Sequence, residues 1–244
     1  IIFLPLLTRY LYYTQNQIEY GMIIYISPSD FAFLYKQSKW GFHQKCMKNI
    51  RRPFLPMPGI FNVIDAGMKN YLKSTKKPNI KNTDIFNDFE FKFEDAAVCS
   101  RPIVNPDFPD IQVCLRGKLD GIYTNGTENY LIDLKTSFTD PDLLKKYNLQ
   151  LNSYAFALQN PYDEFCVSMN IYKSGLIVYE PESFNENGLM GSMIWHETKL
   201  NLQSFEKYIQ DTIIPFLAGP EPNAEESDPF YDYLYKLGFR NSES

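Results

Sequence analysis

The chain lacks paired cysteine motifs. Its cysteines are few and isolated, and none belongs to a Cys-x-x-Cys pair. That spacing excludes the common zinc and iron–sulfur motifs, and so sparse a set does not indicate the disulfide framework of a small secreted protein. We expect reduced, partly buried thiols in a cytoplasmic protein. The cysteines are Cys46, Cys99, Cys114 and Cys166.

Long apolar runs are also missing. The stretch Ile1-Ile-Phe-Leu-Pro-Leu-Leu falls far short of the ~20 apolar residues that a membrane helix needs. It has no basic start and no small-residue cleavage site, and Pro5 interrupts it, so it is not typical of a signal peptide. We therefore predict no membrane association. We expect residues 1–21 to be peripheral or non-native, and residues 22–244 to form a single domain.

The sequence contains no GxxxxGK[ST] loop, which excludes an ATP-driven motor built on that motif. Histidine is scarce, and we assign no catalytic role to His43 or His196. Apolar and aromatic residues are abundant, at 44% and 16% of the chain, which excludes general disorder and favours a packed core.

Basic residues are concentrated in one region of a chain whose formal net charge is -5. Between residues 36 and 81 the only acid is Asp65. One basic region on an acidic chain suits a surface that follows the phosphates of a nucleic acid. The alternative is a pair of solvated helix faces, which are often rich in lysine. The candidate backbone-contacting residues are Lys36, Lys39, Lys45, Lys48, Arg51, Arg52 and Lys69.

The order of patterns predicts an α/β protein with a mixed central β-sheet flanked by helices. Ser27-Pro28-Ser29-Asp30 is typical of a helix start, and a Pro-rich loop separates this region from the next helix. Helices are predicted at about residues 60–73, from Asp142 onward, and at about 202–217 and 229–237. Strands are predicted over residues 89–98, 111–123, 130–136, 165–172 and 176–179. The last two are expected to form a hairpin around Lys173-Ser174-Gly175.

A pattern of charged residues surrounds one predicted hairpin. Gly117-Lys-Leu-Asp120-Gly precedes Asp133-Leu134-Lys135, and Thr124-Asn125-Gly126-Thr127 between them is a tight-turn signal. The two strands should therefore pair antiparallel. Asp133 and Lys135 are two residues apart and point to the same side, while the other face of that strand suits a core.

Buried charges of this kind are costly unless they pair or bind a metal. A hard divalent cation such as Mg²⁺ (or Mn²⁺) prefers oxygen ligands, so Asp120 and Asp133 are candidate ligands, with the Leu134 backbone carbonyl as a third. Such a metal would lower the pKa of a bound water, which Lys135 would orient or help to deprotonate. We therefore predict Asp120, Asp133 and Lys135 as catalytic; a structural ion pair is the alternative.

These motifs resemble the RecB-like branch of the PD-(D/E)xK nuclease superfamily. In that branch an acid in Gly-x-x-Asp is followed by Asp/Glu-x-Lys on the next strand and Gln-x-x-x-Tyr on the next helix. Here the series is 117–120, 133–135 and 150–154, and the resemblance covers roughly residues 24–180. It implies a restriction-endonuclease-like core and a Mg²⁺-dependent deoxyribonuclease with exonuclease or end-processing action. Repair or recombination, with a helicase or recombination partner, would suit such an enzyme.

The resemblance implies further site residues. Gln150 and Tyr154 would line the site and position the DNA strand; alternatively Tyr154 is a core aromatic and Gln150 a surface residue. Relatives carry an acid or His on an N-terminal helix that reaches the metal, and here Asp65 is either that ligand or a surface residue.

Other expectations concern an iron–sulfur cluster, base stacking and alternative functions. Several members hold an iron–sulfur cluster through late cysteines, but no cysteine follows Cys166, so we expect no cluster. Tyr35 and Trp40 are candidates to stack on exposed bases, or are core residues. A non-catalytic DNA-binding module of the same fold, and a structural or partner-binding α+β protein, remain alternatives to the nuclease.

Overall fold

A computed structural model describes residues 21–51, 58–137, 142–186, 188–224, 228 and 230–231. Apart from Gly21, the segment expected to be peripheral lies outside the described residues. Arg52 also lies outside them, as does the helix predicted over 229–237 apart from Phe230 and Tyr231.

Helices dominate the first part of the described chain. Strand β1 is Met22–Ile26, and Ser27 begins the short helix α1, Pro28–Asp30, which continues as a π-helical turn, Phe31–Tyr35. Two longer helices follow. They are α2 (Lys39–Lys48) and α3 (Gly59–Ser74), the second of which confirms the helix predicted at about 60–73.

Strands dominate the second part. They are β2 (Ile80–Lys81), β3 (Glu90–Lys92), β4 (Ala97–Cys99), β5 (Ile103–Val104), β6 (Ile111–Lys118), β7 (Gly121–Thr124), β8 (Asn129–Thr136), β9 (Lys173–Asn185) and β10 (Gly188–Thr198). The long helix α4, Leu143–Gln159, follows β8. After β10 come α5 (Leu202–Tyr208), a π-helical turn (Ile209–Ile213) and α6 (Ile214–Ala218). Among the described residues, no helix combines the length and the apolar character that crossing a bilayer requires.

The strands form two mixed sheets. The larger has the order β2-β10-β9-β8-β7-β3, with β8 parallel to β9 and antiparallel to β7. In the smaller sheet β6 pairs with β1, β4 and β5, and the pairing with β1 is parallel. Helix α3 contacts β8, and α4 contacts both β6 and β8. This arrangement confirms the predicted class, a mixed curled β-sheet flanked by helices, consistent with a restriction-endonuclease-like core.

Strand β8 separates two apolar cores. Tyr130, Ile132 and Leu134 belong to the core that includes residues of α3, whereas Leu131 belongs to the core that includes residues of α4. Because side chains alternate along a strand, Asp133 shares the face of Leu131. The charged residues of β8 therefore lie on the α4 side of the larger sheet.

Two predicted strands are broken in the structure. Residues 89–98 form β3 and β4, because Phe93 and Asp95 between them adopt positive φ angles of 55° and 54°, which a strand does not accommodate. Residues 111–123 form β6 and β7, which pair in different sheets, and the break falls at Leu119 and Asp120. This second break turns the chain at the position of a predicted site residue.

The predicted hairpin of residues 165–172 and 176–179 is wrong. Residues 173–185 form one strand, β9, and the turn to β10 lies between Asn185 and Gly188, whose φ is 104°. Gly175 had indicated a turn, but a Cβ at this position would lie 2.3 Å from the carbonyl oxygen of His196. Gly175 is therefore required by the close approach of β9 and β10.

Candidate active site

The Asn-Gly hairpin between β7 and β8 forms as predicted. Gly126 has a φ of 95°, and the Asn125 side-chain oxygen accepts hydrogen bonds from the amides of Thr127 (2.9 Å) and Glu128 (2.8 Å). The turn therefore carries the positive φ and the local hydrogen bonds that fix the register of the two strands.

Asp120 lies where this hairpin's ladder ends. The last pair of β7 and β8 is Gly121 with Ile132, beyond which the chain turns into β6. There the Asp120 Oδ2 atom accepts a hydrogen bond of 2.7 Å from the Leu134 amide. The carboxylate thus takes the place of a strand partner, and this contact holds it against β8.

The other predicted residues meet Asp120 at the same place. Lys135 Nζ is 2.6 Å from Asp133 Oδ2 and donates a 3.1 Å hydrogen bond to the Leu134 carbonyl. From α4, the Gln150 amide nitrogen donates to Asp133 Oδ1 at 2.9 Å. The structure therefore brings together all three candidate catalytic residues, the candidate carbonyl ligand and the glutamine of the helix motif.

Burial and neighbouring charges shift the pKa values of Asp120 and Lys135. Desolvation and the nearby charge of Asp133 raise the pKa of Asp120 to about 6, against the opposing effects of Lys135 and the Leu134 amide. Burial alone would lower the pKa of Lys135, but the charges of Asp133 and Asp120 outweigh it, so its pKa is raised. The group is thus a tightly packed set of two acids and one ammonium.

Tyr154 of α4 forms a hydrogen bond next to the break between β6 and β7. Its hydroxyl donates a 2.7 Å hydrogen bond to the carbonyl of Lys118, two residues before Asp120. A Cβ at Gly117 would lie 2.8 Å from Pro28 Cδ and 3.1 Å from Tyr154 Cε1. The glycine of the Gly-x-x-Asp motif is therefore required by the packing of α1 and α4 against β6.

Gln150 and Tyr154 are both buried, with 3% and 6% of their surfaces exposed. The alternative that Gln150 is a surface residue is therefore wrong, and the hydroxyl of Tyr154 is engaged within the protein. Direct contact of either side chain with DNA stays a prediction.

Helix α3 presents a lysine to the site, rather than an acid. The Lys69 side chain is only 9% exposed, and its Nζ atom lies 3.0 Å from Asp95, 3.1 Å from Asp65 and 3.6 Å from Asp120. Burial opposes the charge of Lys69, but its hydrogen bonds to Asp95 and Asp65 outweigh that effect and raise its pKa. Lys69 is thus a neutralising partner of Asp120, and its contact with a DNA backbone stays a prediction.

Asp65 does not join the two site aspartates in one ligand set. Within the described ranges, no group of three Asp, Glu, His or Cys side chains could hold a metal ion. Asp65 is instead the i, i+4 ion-pair partner of Lys69, and 45% of its side chain is exposed. Its role as a metal ligand stays a prediction that this arrangement does not favour.

The remaining donors fit a hard divalent cation that has few protein ligands. Asp120, Asp133 and the Leu134 carbonyl supply oxygen atoms, and the Gln150 side-chain oxygen is buried without a hydrogen-bond partner in the part of the chain that the structure describes. Mg²⁺ typically binds through one or two carboxylates and keeps several waters. Two carboxylates with a nearby unpaired amide oxygen are therefore a sufficient donor set.

The predicted backbone-contacting residues differ in how they are engaged. Lys45 forms an ion pair with Asp30, and Lys48 forms one of 2.5 Å with Glu221. Lys39 lies over the ring of Tyr35. Two others make polar contacts that leave their charge unbalanced: Lys36 donates to the Lys145 carbonyl at 2.8 Å, and Arg51 donates to Asn49 Oδ1 at 3.3 Å.

Several neighbours of the site carried no recognised sequence motif. Tyr147 lies under Lys135, with 5.0 Å between Nζ and the ring centroid, and Lys146 lies 5.3 Å from the same ring. Tyr147 was not predicted, although helical spacing could have indicated it, because it is one turn before Gln150 on α4. No local pattern marked Asp95, because a turn with positive φ directs it to Lys69. Tyr35 and Trp40, the stacking candidates, are buried core residues.

Comparisons with known proteins give only distant likenesses. No protein-family model matches the chain, and no curated protein matches it. Among solved structures, SSO0001 is 14% identical with a TM-score of 0.41, over 89% of this chain and 88% of that one. The alkaline exonuclease LHK-Exo from Laribacter hongkongensis is 11% identical with a TM-score of 0.38, over 87% of this chain and 92% of that one.

Proposed function

We propose that this chain is a metal-dependent nuclease that hydrolyses phosphodiester bonds in DNA. The observation that carries the proposal is the convergence of Asp120, Asp133 and Lys135 at the end of one hairpin. A simple ion pair would contain one carboxylate and one ammonium, whereas this group contains two carboxylates. Two carboxylates can bind a metal ion, and an ammonium can stabilise the negative charge that develops during hydrolysis.

Each residue has a defined task in this mechanism. Asp120 and Asp133 would hold Mg²⁺ or Mn²⁺, with the Leu134 carbonyl as a further ligand; a bound ion supplies an activated water and charge neutralisation at the phosphate. Lys135 orients the attacking water and donates hydrogen bonds to the phosphate as negative charge develops. Gln150 fixes the orientation of the Asp133 carboxylate through its 2.9 Å hydrogen bond.

The proposal extends to the class of nuclease. The order of the motifs suits the RecB-like branch, in a form without an iron–sulfur cluster. Exonuclease or end-processing action would suit such an enzyme, with a role in repair or recombination. The unpaired thiols of the four cysteines suit a cytoplasmic enzyme. A helicase or another recombination protein would be a fitting partner for such an activity.

Nuclease assays with purified variants test the proposal. Linear and circular DNA, single- and double-stranded, would be incubated with Mg²⁺, Mn²⁺ or EDTA. We expect metal-dependent cleavage by the wild-type protein, lost in Asp120→Ala and Lys135→Ala while circular dichroism shows both folded. Asp107→Ala, which removes an exposed aspartate, is the matched control and should cleave normally. Wild-type activity in Lys135→Ala would refute the mechanism.

A non-catalytic DNA-binding module is the second candidate. This candidate needs no metal, and among the described residues no three Asp, Glu, His or Cys side chains form a metal-binding group. This candidate predicts metal-independent binding of DNA with no cleavage under any of the tested conditions. The same assays, with binding measured in parallel, therefore separate the two functions.

A further inference from the structure

A cavity lies close to the candidate active site. It has a volume of about 620 Å³ and is bordered by Tyr25, Ser27, Asp30, Phe33, Leu34, Lys45, Arg51 and Arg116. This volume is within the range of sites that bind small organic ligands. None of its basic or aromatic residues belongs to the catalytic group described above.

The charge of the cavity is positive. Asp30 balances Lys45 through their ion pair, but within the described residues neither Arg51 nor Arg116 has a carboxylate partner. Both arginine side chains are exposed, and the Arg116 guanidinium lies 5.7 Å from the ring centroid of Tyr25. Two unbalanced guanidinium groups at the edge of one cavity can bind a phosphate through several hydrogen bonds.

The cavity also presents aromatic surface. Tyr25 and Phe33, which border the cavity, are each 40% exposed. Proteins that bind single-stranded nucleic acids commonly place arginine and lysine next to exposed rings. The cations bind phosphates, and the bases stack on the rings. Bases in a duplex keep their faces covered by neighbouring pairs, so this surface suits a single strand.

A row of rings and cations connects the cavity to the catalytic lysine. The Tyr147 ring centroid is 5.0 Å from Lys135 Nζ and 5.7 Å from the Phe33 centroid, so Lys135 and Phe33 are at most about 11 Å apart. Lys146 lies 4.6 Å from the Phe33 ring, beside this row. That span allows at most about three nucleotides, since the ~3.4 Å rise per nucleotide of a strand in a duplex is shorter than that of an extended single strand.

Like charges are held together along the same row. Burial and the nearby charge of Lys146 lower the pKa of Lys36, whose Nζ donates a hydrogen bond to the Lys145 carbonyl. An anion bound near these two lysines would reduce the repulsion between them. Lys146 also lies 4.6 Å from the Phe33 ring, so positive charge is present between the edge of the cavity and the site of proposed hydrolysis.

We propose that this cavity binds a nucleotide of the cleaved strand, in single-stranded form, within about three nucleotides of the scissile phosphate. Arg51 and Arg116 bind its phosphate, and Phe33 with Tyr25 provides the surface on which its base stacks. This inference builds on the proposed nuclease function, because it assigns the path of the same substrate.

Binding measurements without cleavage test the subsite. The Kd of a short fluorescent oligo(dT) would be measured by anisotropy in EDTA, over a range of salt concentrations. Arg51→Ala and Arg116→Ala should each raise the Kd about five- to tenfold and reduce the slope of log K against log salt by about 0.7. Phe33→Ala should raise the Kd about tenfold with an unchanged salt slope, because stacking is not electrostatic.

Matched variants identify non-specific effects. Lys207→Ala removes an exposed lysine outside the cavity and Phe184→Ala removes an exposed phenylalanine, and neither should change the Kd by more than about twofold. Blunt duplex DNA should bind more weakly than oligo(dT) and should be insensitive to Phe33→Ala. Melting curves confirm that each variant is folded.

The outcomes for the subsite and for the nuclease are distinguishable. Cleavage by the wild-type protein, with unchanged oligo(dT) affinity in all three cavity variants, overturns the subsite and leaves the nuclease. Binding that is lost in the cavity variants, without cleavage by the wild type in any metal, supports the subsite and removes the nuclease. Failure of the wild type to bind oligo(dT) overturns the subsite.

Discussion

Replacing Asp120 with asparagine should stabilise the protein when no metal is present. The pKa of Asp120 is raised from 3.8 to about 6, so at neutral pH the folded state keeps ionised a carboxyl group that its surroundings disfavour. At 1.36 kcal/mol per unit, that shift corresponds to at most about 3 kcal/mol. The asparagine oxygen can still accept the hydrogen bond from the Leu134 amide, so the contact of 2.7 Å with β8 is retained.

The sign of the pH dependence follows from the same shift. A carboxyl group whose folded-state pKa exceeds its unfolded value binds its proton more tightly in the folded state, so it destabilises the fold above pH 6. As the pH falls from about 6 toward 3.8, wild-type Asp120 becomes protonated and the advantage of Asp120→Asn should disappear. At pH 8 in EDTA we expect a gain of about 1–3 kcal/mol, or roughly 2–10 °C in Tm.

Thermal melting of wild type and variant, with and without Mg²⁺, measures both effects. Excess Mg²⁺ should raise the Tm of the wild type and leave Asp120→Asn unchanged, because the variant lacks one candidate ligand. The exposed Asp107, replaced by asparagine, is the matched control and should melt like the wild type. If Asp120→Asn were less stable than the wild type at pH 8 in EDTA, the charge of Asp120 would be stabilising, and the reasoning would be refuted.

Further predictions concern the surroundings of the site. Gly117→Ala should lower the free energy of unfolding by about 1–3 kcal/mol, because its Cβ would lie 2.8 Å from Pro28 Cδ. Gly67→Ala, with open space around it in α3, should raise the free energy of unfolding by about 0.5–1 kcal/mol. Urea unfolding measures both changes. Gln150→Ala should weaken Mn²⁺ affinity about 10–100-fold by calorimetry, with a native circular dichroism spectrum; unchanged affinity would contradict its orienting role. Lys69→Met should remove an ammonium that Asp65, Asp95 and Asp120 share. The Tm should fall more at pH 8 than at pH 5, because Asp120, with a pKa of about 6, is largely protonated at pH 5; equal losses would contradict the ion-pair account.

Local chain patterns explain why the central site was predictable. The placement of Asp133 and Lys135 on one face needs only the two-residue period of a strand, and the approach of Asp120 needs only the Asn-Gly hairpin. These relations span few residues, so the sequence pattern carries them without knowledge of the tertiary fold. Gln150, on the next helix along the chain, was predicted from the resemblance to the RecB-like branch and not from a local pattern.

Other contacts depend on tertiary packing and had no local pattern. Lys69 is predicted to contact a DNA backbone, and no local pattern indicates that the turn at Asp95 and the break at Asp120 bury it among three acids. Gly175 indicates a turn because glycine commonly marks one, whereas here the close approach of the neighbouring strand requires it. The burial of Lys69 and the role of Gly175 both depend on residues distant in the sequence, which a local pattern does not contain.

The hairpin and the helix that follows it have a consequence for folding kinetics. The residues of the candidate site lie within one stretch, 117–154, so most contacts that assemble it join positions close in the sequence. Contacts of low sequence separation form with a small loss of chain entropy, and regions rich in them are favoured as early folding units. Two contacts join distant segments to this stretch: Pro28 of α1 packs on Gly117, and Lys69 of α3 lies near Asp120. We expect amide exchange to show 117–154 as one cooperative unit that α1 completes later.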